Sequence, residues 1–142
     1  MAQDYTEKIE YKGMKNVEVN FPVIADLTMD VATKFGMIQP SESDVSAVRA
    51  VFFIDPHAKV RALMYYPLST GRNFKEIKRV LISLQTVDKY NVATPADWQP
   101  GEDVIVPPPG SCGTAKTRVQ TAKETGITCL DWFICFKQLK LD

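Results

Sequence analysis

Apolar and polar positions first alternate between Val17 and Phe21, where Val17, Val19 and Phe21 are separated by Glu18 and Asn20. Alternation with a period of two predicts a short strand with one buried face. Pro22 has no amide proton to give a ladder, so the strand is expected at a sheet edge. Thr28–Met37 predicts a short helix: Val31 and Phe35 lie four apart on one face, and Gly36 offers a stop. The most apolar stretch is Ala47-Val-Arg-Ala-Val-Phe-Phe-Ile54, closed by Asp55-Pro56. It does not alternate cleanly, which predicts a strand covered on both faces near the middle of a sheet. Residues 55–59 make a turn and Val60–Tyr66 returns as a second strand, forming a hairpin.

Ser69-Thr-Gly-Arg-Asn73 is a loop that feeds the strongest helical pattern in the chain. Asn73 is placed to cap this helix, with Glu76 three residues later completing a capping box. Phe74, Ile77, Val80, Leu81, Leu84 and Val87 fall on one stripe, with Lys75, Lys78, Arg79 and Asp88 outside it. From Asn91 onward prolines become dense (Pro95, Pro100, Pro107, Pro108, Pro109) and helical periodicity is lost. This reads as an extended arm without a core of its own. The expected division is therefore 1–90 for the α/β portion and 91–142 for the arm.

Composition narrows the classes of function. Lysine plus arginine and aspartate plus glutamate both number 17, so the chain has no net charge. Nucleic-acid binders carry a basic excess because phosphate neutralisation drives their affinity, and that excess is missing here. No stretch reaches the roughly 20 apolar residues needed to cross a bilayer. The charged lead-in Met1–Met14 lacks the apolar segment of a secretory signal. A cytoplasmic location is expected, with neither nucleic acid nor membrane as partner. Cys112, Cys129 and Cys135 all lie in the last third, and in a reducing compartment they suggest redox or metal chemistry, or none. Cys129 and Cys135 are six apart, unlike the spacing of common zinc ligands, and His57 is a lone turn histidine. No metal site and no cofactor are expected.

The order strand, helix, hairpin, helix matches the second half of a thioredoxin-like α/β domain. A whole domain needs a further strand–helix–strand unit in front, whereas only about sixteen polar residues precede the first strand. Three segments carry a family resemblance: Val48-Arg-Ala-Val-Phe-Phe-Ile-Asp-Pro56, Tyr66-Pro-Leu-Ser-Thr-Gly-Arg-Asn73 and Val92-Ala-Thr-Pro-Ala-Asp-Trp-Gln-Pro-Gly101. They resemble the peroxiredoxins of the AhpC/TSA type. The branch is the one that holds the one-cysteine enzymes and the archaeal-type thiol peroxidases with long C-terminal arms, and Asp103-Val-Ile-Val-Pro-Pro-Pro109 and Cys129-Leu-Asp-Trp-Phe-Ile-Cys135 look like the second group in particular. The resemblance runs from about Tyr11 to the end. It implies an incomplete thioredoxin-like peroxiredoxin fold, lacking the N-terminal strands and the helix of the peroxidatic cysteine, with an extended C-terminal arm.

The family reduces hydrogen peroxide and organic hydroperoxides with a thiol reductant, through a cysteine in Pro-x-x-x-Thr-x-x-Cys. Three residues before Cys112, Cys129 and Cys135 stand Pro109, Gly126 and Trp132, never threonine, so the motif is absent. Arg49 lies inside the apolar strand, in step with Val51 and Phe53. A buried guanidinium needs an anion. That anion is a carboxylate in a structural ion pair, or, as the resemblance implies, the thiolate and peroxide of the reaction. Arg72 either supports that site or bridges to a surface carboxylate. For Cys129 and Cys135 the resemblance implies resolving cysteines that can also pair with each other; packed free thiols beside Trp132 and Phe133 are the plainer reading. Cys112 is given no role.

Trp98 and Trp132 among prolines could anchor on another surface, and the resemblance implies that the arm crosses onto a partner subunit in a homodimer or larger oligomer. Three functions follow: a thiol peroxidase segment inactive alone, an interaction module joining itself or longer relatives, or an enzyme in which Cys129 or Cys112 has become the nucleophile.

Overall fold

The computed structural model describes residues 8–43 and 45–139. The chain divides into two compact units, Met1–Val48 and Arg49–Asp142. In the first unit Tyr11 and Met14 exchange backbone hydrogen bonds of 3.2 and 3.0 Å across a turn that puts Lys12 and Gly13 at positive φ. The strand expected at Val17–Phe21 does not form. Alternation alone does not make a strand, because the backbone needs a ladder partner, and Val17 and Phe21 stay exposed.

Helix α1, Asp30–Lys34, is shorter than the sequence pattern predicts. Met29 sits at φ 61° in the left-handed region and blocks extension toward Thr28. The Asp26 carboxylate takes over the cap, accepting from the amides of Val31 (3.1 Å) and Ala32 (2.7 Å). Gly36 ends the helix at φ 63°, with Met37 N–H donating to the Ala32 carbonyl at 2.8 Å. Its buried side chain is Ala32, whereas Val31 and Phe35 remain exposed.

In the second unit β1, Arg49–Ile54, and β2, Val60–Tyr66, form an antiparallel pair, in register from Arg49 opposite Tyr66 to Phe53 opposite Ala62, with an irregularity before Ile54. The hairpin is as expected, and Asp55 builds its turn: Oδ1 accepts from the amides of His57 (2.9 Å) and Lys59 (3.0 Å), and Ala58 adopts φ 60°. The expected central position of β1 is not realised. Among the described residues this sheet has two strands, so β1 is laddered on one side only.

Helix α2, Phe74–Tyr90, begins where Asn73 Oδ1 accepts from the amides of Lys75 and Glu76. The expected box is not closed, because Glu76 instead forks onto Arg79 at 2.6 and 2.7 Å, a charge-assisted pair. Asn91 ends the helix in the left-handed conformation. Arg61 of β2 grips Asp88 of α2 through two 2.8 Å hydrogen bonds, with Asp55 at 3.6 Å. This fixes the hairpin on the helix.

Beyond Asn91 the chain is not simply extended. Val92, Trp98 and Val104 make a buried cluster against Ile82, Tyr90 and Leu139. Strand β3, Val104–Val106, is followed by helix α3, Cys112–Ala122, a 3-10 turn at Lys123–Thr125, then β4, Thr128–Asp131, and β5, Ile134–Lys137. The three strands form an antiparallel sheet in the order β3-β5-β4. Among the described residues no helix is long and apolar enough to cross a membrane.

Candidate functional site

Cys129 on β4 and Cys135 on β5 stand directly opposite each other, with their Cα atoms 4.0 Å apart, and are joined as a disulfide. The link exists because Trp132 and Phe133 turn the chain between Asp131 and Ile134, which sets a separation of six residues face to face. Asp131 Oδ1 accepts from the Trp132 amide at 2.6 Å to stabilise the turn. The two rings meet edge to face, centroids 5.8 Å apart. Cys135 is fully buried and Cys129 partly so. These are not two packed free thiols.

Arg118 is a residue that the sequence did not single out. From α3 it donates to the carbonyls of Val106 (2.8 Å) and Trp132 (3.1 Å). One planar guanidinium thus joins the end of β3 to the turn of the disulfide hairpin. Its sequence context, Lys-Thr-Arg-Val, carries no signal for this role.

Arg49 opens β1 and is half-buried, on the same face as Val51 and Phe53 and opposite Tyr66. Among the described residues no carboxylate lies in salt-bridge reach of it. The structural ion pair that would make Arg49 ordinary is therefore not formed there. Arg72 is exposed in the loop before α2 and likewise forms no ion pair among the described residues. No hydrogen bond or ion pair among the described residues brings either arginine to the cysteine pair. Cys112 is free and exposed at the start of α3, and with Trp132 it lines an open cleft of about 430 Å³.

His57 is exposed in the hairpin turn. Among the described residues no group of three or more His, Cys, Asp or Glu side chains could hold a metal ion. The perturbed carboxylates lie elsewhere. Arg79 beside Glu76 and Arg61 beside Asp88 hold those two carboxyls below their ordinary values, and the Lys59 amide does the same for Asp55. All three belong to clamps of the fold.

Comparison with known proteins places these features. The profile of the AhpC/TSA family matches residues 2–63, which include Arg49, and that of the C-terminal domain of 1-Cys peroxiredoxin matches residues 83–122. The cysteine pair lies beyond both matches. A peroxiredoxin of Methanosarcina mazei is 61% identical over 132 residues, covering 93% of this chain and 60% of the relative. Peroxiredoxin 2 of Caldanaerobacter subterraneus is 50% identical over 123 residues, covering 87% of this chain and 55% of the relative. The chain thus spans little more than half the length of these two relatives.

A solved yeast mitochondrial 1-Cys peroxiredoxin superposes with a TM-score of 0.71 at 36% identity, over 89% of this chain and 59% of that one. A cysteine-to-serine mutant of peroxiredoxin 6 from Arenicola marina gives 0.68 at 38% identity, over 89% and 60%. Both have the thioredoxin-like peroxiredoxin fold, and the likeness extends over 89% of this chain. Two family profiles, extended identity to archaeal and bacterial relatives and the shared fold agree: the chain belongs to the peroxiredoxin family.

Proposed function

We propose that this chain takes part in thiol-dependent reduction of hydrogen peroxide and organic hydroperoxides, with Cys129 and Cys135 as resolving pair and Arg49 as the cation beside the reacting thiolate. The observation that supports this most is the cross-strand disulfide itself, two cysteines held opposite each other by strand register. In the reaction a thiolate attacks one peroxide oxygen, the O–O bond breaks, water or an alcohol leaves, and the thiol becomes a sulfenic acid. A resolving thiolate then attacks that sulfur, forming a disulfide and releasing water. Arg49 suits the first step because a half-buried guanidinium lowers the cost of keeping a thiol ionised. Residues 91–142 serve as the arm that carries resolution and dimerisation, and Arg72 supports the site. The sequence holds no Pro-x-x-x-Thr-x-x-Cys, so the attacking cysteine of this reading lies outside these 142 residues and the chain alone is inactive.

Peroxide consumption by the purified chain with dithiothreitol, beside Cys129→Ser and Cys112→Ser, tests this. No consumption above the thiol background is expected. Consumption abolished by either serine would mean that an arm cysteine performs the attack, and the proposal would fall.

A second reading has its own support. Phe21 (69% exposed), Ile24 (70%) and Leu27 (92%) present apolar surface in the first unit, and β1 is laddered on one side among the described residues. Such features suit an interaction module that assembles with itself or with longer relatives.

A further inference from the structure

The two halves of the disulfide are unequal. Cys135 is 0% exposed and belongs to β5, the middle strand, laddered to β3 on one side and β4 on the other. Cys129 belongs to β4, the outer strand, and is partly exposed. Arg118 closes the inner side further by holding the Val106 carbonyl, in the residue opposite Cys135, together with the Trp132 carbonyl of the turn. A thiolate opens a disulfide by approaching one sulfur along the S–S axis, from the side away from the sulfur that leaves, so access decides which sulfur is attacked.

We infer that an external thiol attacks Cys129 and that Cys135 is the sulfur that leaves; this rests on the exchange reading given above. The thiolate forms a bond to Cys129 Sγ, the Cys129–Cys135 bond breaks, and its electron pair departs on Cys135 Sγ, which takes a proton from water. A second molecule of the same thiol then attacks the external sulfur of the mixed disulfide, freeing Cys129 as a thiolate and forming the oxidised dimer of the reductant. Two thiols are oxidised and one protein disulfide is reduced.

One effect opposes this order. Burial in apolar surroundings disfavours the charged thiolate that Cys135 becomes and slows its departure. Access outweighs it, because a sulfur under the middle strand is reached only after hydrogen-bonded ladders or the Arg118 clamp have opened.

The test uses the full chain with its native cysteines. Exposed Cys112 is first blocked with iodoacetamide while the pair remains a disulfide. Reduced glutathione is then added for short times, the reaction is stopped with acid, freed thiols are capped with N-ethylmaleimide, and the peptide spanning both cysteines is fragmented in a mass spectrometer. Glutathione on Cys129 with maleimide on Cys135 is expected in roughly tenfold excess over the reverse. Equal amounts, or glutathione mainly on Cys135, would overturn the inference while leaving exchange intact. A pair that millimolar glutathione does not open at all would overturn the exchange reading and this inference with it.

Discussion

Trp98 is 1% exposed, and each of its polar atoms has a partner. Its indole N–H donates to the Glu102 carbonyl at 3.1 Å, its amide donates to the Pro95 carbonyl at 3.3 Å, and its carbonyl accepts from Arg79 at 3.4 Å. An aromatic side chain buried this completely is held by packing as well as by hydrogen bonds. Trp98→Ala is expected to destabilise the fold by roughly 3–5 kcal/mol, since it leaves a cavity between Val92 and Val104. Urea unfolding followed by circular dichroism measures this. Asn73→Ala removes a cap that accepts from two amides and should cost about 1 kcal/mol in the same assay. Asn73→Asp keeps the acceptor and should cost less.

The clamps between elements respond to pH. Asp88, Asp55 and Glu76 have folded pKa values below their ordinary ones, for reasons of pairing with Arg61, the Lys59 amide and Arg79 respectively. A depressed carboxyl pKa means that the unfolded chain binds protons first as pH falls. The stabilisation is therefore complete above the ordinary carboxylate values and is lost as pH drops through the lower folded ones. Thermal stability should hold from neutral pH to about pH 5 and decline below about pH 4. Asp88→Asn should flatten that decline, and calorimetry across pH reads the difference. Arg118 makes a prediction of a different kind. Arg118→Lys keeps the charge but loses the fork that spans two carbonyls, so amide exchange in β4 and β5 should quicken, corresponding to about 1 kcal/mol.

What the sequence discloses depends on which force makes each element. The hairpin, α2 and its Asn73 cap rest on apolar runs and local turn chemistry, and these are visible in Asp55-Pro56 and Asn73. Helix α3 has no apolar stripe: Gly113 and three threonines weaken the pattern, and only Ser111 signals the start, where its carbonyl accepts from Ala115 N–H at 3.1 Å. The strand expected at Val17–Phe21 fails because laddering is a long-range property. The position of Arg49 within its strand is legible from spacing, whereas its lack of a carboxylate among the described residues is not. The Cys129–Cys135 bond follows from β4–β5 register, which a spacing of six with two aromatics between the cysteines does not reveal by itself.

For the molecule as a whole, unsatisfied surface sets the expectation. Ile54, Leu63, Phe21, Ile24 and Leu27 are exposed apolar side chains, and a two-stranded ladder offers backbone groups that another strand can use. The chain is expected to sediment as a dimer or larger species at micromolar concentration, and a monodisperse monomer would contradict this. The function proposed for the chain rests more narrowly on the cysteine pair being an exchanging couple rather than a fixed staple. Equilibrating the chain in glutathione and dithiothreitol redox buffers, and counting the free thiols of Cys129 and Cys135 by mass, gives the midpoint potential of the pair. A value above about −300 mV is predicted, within reach of cellular thiol reductants; a value well below it, in the range of structural disulfides, would contradict the account.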